Sequence, residues 1–176
     1  MVWRQWYMMS IRIEKATPSD AAMLLEYLRQ VGGETDNLTF GPEGMPFSVE
    51  AEAEFIANME NSNDDIMLLA KYEDKIVGCA SLNRLPRRMR HRGDFAISVV
   101  KDYWNKGIGS QLLDNIVAFA RENSIEIVDL QVRGDNKSAI HLYEKYGFKK
   151  IGEHPAFFKI GDENISFEIM CLELNK

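Results

Sequence analysis

The sequence predicts a single α+β domain on a mostly antiparallel sheet, with one parallel crossover in its middle. Three observations carry this. The segments 66–72 and 76–82, joined by Glu73-Asp74-Lys75, have the pattern of a β-hairpin. The stretch 94–132 reads as strand, glycine-opened helix and strand. The C-terminal segments around Phe157-Phe158 and 165–172 face each other across a Gly161-Asp162 turn.

The elements follow in order. Residues 1–10, MVWRQWYMMS, are apolar but interrupted by Arg4 and Gln5, and are expected to be an extension preceding the domain of residues 11–176. They lack the long apolar run and small-residue cleavage site of a signal peptide. Ile11-Arg12-Ile13 alternates, so a strand is expected to about Ala16. Thr17-Pro18-Ser19-Asp20 joins a hydroxyl cap, a first-turn proline and an acid, and predicts a helix over 19–30 that Gly32-Gly33 ends. A Gly- and Pro-punctuated loop follows, carrying Glu34, Asp36 and Glu43. Ser48 caps a second helix whose front, from Glu50 to Glu54, is acidic. After the hairpin, 84–92 holds Arg84, Arg87, Arg88, Arg90, His91 and Arg92. This local basic loop reads either as a landing site for phosphates or an acidic partner, or as a solvated connection. A strand over 125–132, a short helix over 139–146 ended by Gly147, and the final strands complete the chain.

The chain has 176 residues, enough for one domain with one core, and its composition of 45% hydrophobic and 27% charged residues is ordinary. A net charge of −6 argues against general binding to nucleic acid or anionic membranes and is compatible with a cationic small molecule. No segment is long enough to span a membrane. Cys79 and Cys171 lie in apolar strand-like runs and read as small core residues, and no Cys/His spacing suggests a metal. Nothing requires an oxidising compartment, so the expected setting is the cytoplasm.

The chain is organised around FAISVVKDYWNKGIGSQ, residues 95–111. A strand passes through a polar loop into a helix that opens on Gly107 and Gly109. Its apolar face carries Leu112, Leu113, Ile116, Val117, Phe119 and Ala120. The first turn of a helix has N–H groups without a helical partner, and the macrodipole makes that end positive. Glycine lets a ligand approach the bare main chain. An anion site, for phosphate, is the physical reading. A P-loop is ruled out, because no Gly-Lys-Ser/Thr is present. A dinucleotide site stays open: Leu112 stands where a third small residue is needed, yet Asp129 lies 22 residues after Gly107. Glycines that only ease packing are the third reading.

Two stretches resemble the GNAT family of acetyl-coenzyme A-dependent N-acetyltransferases. SVVKDYWNKGIGSQLL is similar to the family's coenzyme A loop, Gln/Arg-X-X-Gly-X-Gly/Ala; Gly107 and Gly109 match, and Trp104 departs from Gln/Arg. LQVRGDNKSAIHLYEKYGFKKIG is similar to the Asn-X-X-Ala-Ile-X-Leu-Tyr…Gly-Phe segment. The resemblance follows element order over 11–174, in outline only in the first half. It implies a mixed, mostly antiparallel sheet with splayed middle strands and helices on both faces. It further implies that acetyl-coenzyme A is the co-substrate, with no metal. Its pyrophosphate would sit on the loop of Trp104, Asn105, Lys106, Gly107, Ile108, Gly109 and Ser110. Its arm would lie beside Ile97, Ser98, Val99 and Val100 as an added strand, with Asn136 in contact.

Acyl transfer to an amine needs a neutral amine, a donor to the thioester oxygen and a proton for the leaving thiolate. The resemblance implies direct attack in a ternary complex, and neither cysteine has a nucleophile's setting. By the same resemblance Tyr143 is the general acid; the alternative is a packed aromatic. Asn136 is also readable as a helix cap. A main-chain N–H near Val99 or Val100 is the expected oxyanion donor. Asp94 is the candidate base, acting through water, or else a salt-bridge partner of the basic loop. Glu34 and Asp36 either line the acceptor pocket, which favours a cationic amine such as a polyamine, an aminoglycoside or a peptide N-terminus, or belong to a solvated loop. The stretch HPAFFKIGDENISFEIMCL is similar to spermidine and ribosomal-protein acetylases of the family. A homodimer is a further expectation. The alternative from another class is a non-catalytic coenzyme A-binding regulatory module.

Overall fold

The computed structural model describes residues 11–174. The expected extension, 1–10, lies outside the described residues. Seven strands form one sheet in the order β1-β2-β3-β4-β5-β7-β6. They are β1 Ile11–Lys15, β2 Asp65–Tyr72, β3 Lys75–Arg84, β4 Arg92–Val99, β5 Ile127–Arg133, β6 Lys149–Ile160 and β7 Glu163–Glu173. The helices are α1 Ala21–Glu34, α2 Val49–Glu60, α3 Ile108–Glu122 and α4 Lys137–Lys145. Only β4 and β5 pair in parallel, as expected of partners joined through a helix; the other neighbours are antiparallel. This sheet is not the doubly wound parallel kind that a dinucleotide site requires.

Alternation within the strands divides the core in two. Ile66, Leu68 and Ala70 of β2 pack with Leu112, Leu113 and Ile116 of α3 and Ile140 of α4. Leu69, one step out of phase, packs with Leu24, Tyr27 and Val31 of α1 and Ile56 of α2. Helices therefore cover both faces. The α3 residues recur at i, i+3, i+4 and i+7, which places one full apolar stripe on the sheet.

Three local expectations are corrected. First, α1 runs through Gly32 and Gly33 to Glu34. Gly32 is there for close approach: a Cβ on it would strike the Gly41 carbonyl of the following loop. Second, residues 149–160 form one long bulged strand, not two short pieces; register shifts between Lys150/Gly152 and His154/Phe158 absorb the irregularity. Third, Cys79 and Cys171 are free thiols that are only partly buried; Cys79 does pack against the core on the α1 side, and it is Cys171 that departs from the expectation.

The basic loop resolves residue by residue. Arg84 reaches Asp64 at 3.3 Å and the Asn123 carbonyl, and Arg90 reaches the same Asp64 at 2.9 Å. Arg92 pairs with Asp129 at 2.7 Å, while Arg87, Arg88 and His91 are exposed. The eight residues of β4, about 25 Å of strand, separate this loop from Gly107. It therefore does not serve the anion site predicted there.

Candidate active site

The site grows from a break in the sheet. β4 and β5 are paired only over 92–94 and 127–129, and then diverge. The last pair sets Asp94 opposite Asp129. Leu85 N–H donates to Arg92 C=O at 2.9 Å and Val100 N–H donates to Val77 C=O at 3.0 Å. The β3–β4 register is continuous between these bonds. Even-numbered residues of β4 thus turn their main chain to β3, and odd-numbered residues turn theirs away. At the start of β4 that other side meets β5, where His91 C=O accepts from Ile127 N–H at 3.1 Å. Past Asp94 it meets the gap, so Phe95, Ile97 and Val99 present an unpaired edge. One group on that edge is already used: the Trp104 indole N–H donates to Val99 C=O at 2.7 Å.

This narrows the expectation that Ile97, Ser98, Val99 and Val100 all face an extended ligand. Ile97 and Val99 face the gap. Ser98 instead meets the Tyr27 hydroxyl, which lies 2.8 Å from both its hydroxyl and its carbonyl. Val100 N–H, bonded to Val77, is not a free oxyanion donor; Val99 N–H is the one that faces the gap.

The loop after β4 has the form of an anion cradle. Asn105 and Gly107 both have positive φ, 60° and 78°, and the latter is the cap residue of α3. The first helical bond runs from Gln111 N–H to Gly107 C=O at 3.1 Å. The N–H groups of Ile108, Gly109 and Ser110 therefore point out of the positive end of the helix. A Cβ on Gly107 would meet nothing within 4 Å, so space is open above the main chain there. Gly109 has a different task. A Cβ on it would lie 3.2 Å from Leu142, so its absence lets α3 pack on α4. Lys106 adds positive charge, its ammonium 4.8 Å from the Tyr103 ring centre.

Tyr143 stands on the buried side of α4, only 6% exposed, with its ring edge-on to Phe95 at 6.2 Å and tilted on Phe148 at 5.6 Å. Burial pushes its phenol well above the ordinary tyrosine range, so it stays protonated. Its hydroxyl makes no hydrogen bond among the described residues. Nor is it sealed: Arg84 Nε is the sole described buried side-chain polar atom without a hydrogen-bond partner. The hydroxyl thus reaches accessible space. Asn136 caps α4, its Oδ1 accepting from Ala139 N–H at 3.3 Å, which leaves its amide nitrogen for another partner.

Asp94 and Asp129 divide sharply. Asp129 is buried and held by Arg92 at 2.7 Å. Asp94 forms no ion pair among the described residues, so the salt bridge to the basic loop is made by its neighbour. Its one contact is Gln131 Nε2, a long 3.5 Å away. Burial pushes the Asp94 carboxyl up; the Gln131 contact works against this, and the Asp129 charge adds to it. A carboxylate poised this way is suited to accept a proton.

The profile of the acetyltransferase (GNAT) family matches residues 33–148. The chain belongs to the GNAT family. A GNAT-family acetyltransferase from Streptococcus pneumoniae superposes with a TM-score of 0.89 at 32% identity, over 93% of this chain and 99% of that one. The N-alpha-acetyltransferase RimI of Mycobacterium tuberculosis is 34% identical over 86 residues, 48% of this chain and 52% of that protein. The mycothiol acetyltransferase of Propionibacterium freudenreichii is 38% identical over 63 residues, 35% of this chain and 20% of that protein. The chain thus spans about half the length, or less, of these curated relatives. The fold is also that of yncA from Salmonella typhimurium, solved with acetyl-CoA, at a TM-score of 0.81, 17% identity and coverage of 94% and 95%. The family is one of acetyltransferases, and the Mycobacterium tuberculosis relative is named as an N-alpha-acetyltransferase.

On this GNAT frame the remaining acids take distinct places. Glu34 accepts from the Lys101 N–H at 2.7 Å and from Gln30 at 2.9 Å, tying the end of α1 to the chain leaving β4. Asp36 is exposed, and its carbonyl accepts from Arg133 of β5 at 3.2 Å. The end of α1 and the start of the loop after it therefore bridge the ends of the two splayed strands. Two residues escaped the sequence reading. Tyr27 lies on the α1 stripe with Leu24 and Val31, and Glu52 on the α2 stripe with Ile56 and Met59. Helical spacing alone would have pointed both inward. A cleft of about 360 Å³ beside Arg133, lined partly by Asp135, Glu153 and Glu168, contains none of Gly107, Asp94 or Tyr143. No group of three or more His, Cys, Asp or Glu able to hold a metal occurs among the described residues. No described helix is long and apolar enough to cross a membrane.

Proposed function

We propose that this GNAT protein transfers the acetyl group of acetyl-coenzyme A to a primary amine on a cationic acceptor, by direct attack in a ternary complex. The observation that carries the reading is the open edge of β4 running into the Gly107 cradle, with the Tyr143 hydroxyl unbonded beside it. In this reading the N–H groups of 107–110, with Lys106 nearby, hold the pyrophosphate. Trp104 and Asn105 shape the loop. Ile97 and Val99 join the extended arm as an added strand, and the Asn136 amide contacts it. Acetyl-coenzyme A supplies the activated acyl group.

The chain's own groups then divide the work. Val99 N–H donates to the thioester oxygen as charge develops on it. Asp94 takes a proton from the incoming ammonium through water, so that the nitrogen attacks neutral. Tyr143 gives its proton to the departing sulfur and regains one from solvent. Asp36 and Glu34 line the acceptor mouth and favour cations. A polyamine, another small cationic amine and a protein N-terminus all fit this charge. A cytoplasmic setting is consistent with two free thiols.

The test is free-thiol release from acetyl-coenzyme A against a panel of spermidine, an aminoglycoside, free amino acids and peptides with varied N-termini. Release with cationic amines is expected. Tight acetyl-coenzyme A binding with no release on any acceptor would favour the non-catalytic binding module.

A further inference from the structure

Three acidic side chains are buried among the described residues, and two are paired: Asp20 with Lys71 at 2.8 Å and Asp129 with Arg92 at 2.7 Å. The third, Glu52, is 4% exposed and has neither an ion pair nor a side-chain hydrogen bond among the described residues. An unpaired buried carboxylate is costly unless something else meets it. Its oxygens are not sealed off, because Arg84 Nε is the sole described buried side-chain polar atom lacking a hydrogen-bond partner. Burial pushes the Glu52 carboxyl up, as expected of an acid without a countercharge.

Glu52 lies on α2, whose Ala53 and Ile56 share a core cluster with Cys79 of β3. Its charge, added to the larger effect of burial, helps push the nearby Cys79 thiol up to about 12. Cys79 pairs with Ser98 across β3 and β4, and Ser81 pairs with Ala96. All four side chains are small, and all four are at least partly exposed although they sit on central strands. They lie on the sheet face covered by α1, whose Tyr27 reaches Ser98. Asp94 lies on the same face, four residues from Ser98 and about 13 Å along the strand.

We propose that Glu52 anchors a second cationic group of the acceptor, so that the preferred acceptor carries at least two amines. This rests on the reading of the site as an acetyltransferase for cationic amines. The division of labour follows from charge. A carboxylate paired with the attacking nitrogen would hold it as an ammonium, which cannot attack. The anchor must therefore hold a nitrogen that does not react, at a distance from the proton-accepting Asp94. The stretch of β4 from Ser98 to Asp94, about 13 Å, accommodates a chain of several bonds between the nitrogens.

The test compares 1,8-diaminooctane with 8-amino-1-octanol, which has the same length and one cation fewer. Wild type should show a KM for the diamine on the order of tenfold or more below that for the amino alcohol, the loss expected for one charge-assisted contact. Glu52→Gln should abolish that preference by raising the diamine KM, leaving kcat, the amino alcohol KM and acetyl-coenzyme A affinity unchanged. Asp94→Asn should instead lower kcat on both. No diamine preference in wild type, or equal effects of Glu52→Gln on both acceptors, overturns the proposal. Calorimetric titration of both compounds into wild type and into Glu52→Gln and Glu52→Asp reads the anchor without turnover. Loss of diamine binding in the variants supports it, and unchanged binding refutes it. Absence of thiol release from wild type on every acceptor counts against the acetyltransferase reading, while the titration still decides the anchor.

Discussion

Replacing Tyr143 by Phe separates chemistry from packing, because the hydroxyl has no partner to lose among the described residues. The ring's contacts with Phe95 and Phe148 persist in the variant. No donor or acceptor is orphaned, so stability should change by less than about 0.5 kcal/mol, as for substitutions that touch no special feature. Turnover is another matter. A positioned general acid contributes on the order of 100- to 10,000-fold. At 1.36 kcal/mol per tenfold, that corresponds to about 3–5 kcal/mol of lost transition-state stabilisation. The assay is free-thiol release at saturating acetyl-coenzyme A, alongside calorimetric affinity for acetyl-coenzyme A and a thermal melt. The expected pattern is kcat down at least 100-fold, with affinity and melting temperature unchanged. Unchanged kcat would refute the acid assignment. A large drop in melting temperature would show that the hydroxyl has a structural role and that the reasoning from its lack of partners is wrong.

Two further outcomes follow from the geometry. At Gly107, φ is 78°, and Ala there should cost about 1–2 kcal/mol of stability. Asn tolerates this conformation and should spare stability; both variants should weaken acetyl-coenzyme A binding, measured by titration, because a side chain enters the open space above the main chain. At Asp94, the raised carboxyl pKa means that kcat/KM falls as pH drops through a value above the ordinary aspartate range near ~3.9. The protonated form cannot accept the amine's proton, so activity is retained on the alkaline side of this limb. Arg92→Met removes a charge that lowers the Asp94 pKa, and should move the limb of the pH–rate profile still higher. It should also destabilise the fold by about 1–3 kcal/mol by leaving Asp129 buried without its partner; an unmoved limb would show that Asp94 is not the base.

Much of the architecture was legible because it depends on local rules. Ser48 caps α2 with its hydroxyl accepting from Ala51 N–H at 3.2 Å, and the hairpin turns where its polar residues stand. The α3 stripe and the strand before it follow from periodicity. The glycine pair was legible as a motif but not as two separate tasks. Gly107 leaves open space and Gly109 meets Leu142, an element 33 residues further on, which no local pattern reveals. The helix boundary at Gly32 was misread for the same reason: the loop pressed against it is a long-range contact. Strand alternation was readable at 97–100, but which neighbour each residue turns to depends on β3, and that decides between Val99 and Val100.

The sequence by itself determined the element order, the glycine-opened start of α3 and, through two motifs, the family. These rest on backbone propensities and spacing, which are properties of neighbouring residues. Tertiary structure decided which charges are satisfied. Arg92 chooses Asp129 and leaves Asp94 with only the long Gln131 contact, Glu34 accepts from the Lys101 N–H, and Glu52 is buried with no partner among the described residues. A charge can find its partner anywhere along the chain, and whether it is met, screened or left waiting for a ligand is settled only when the strands take their register.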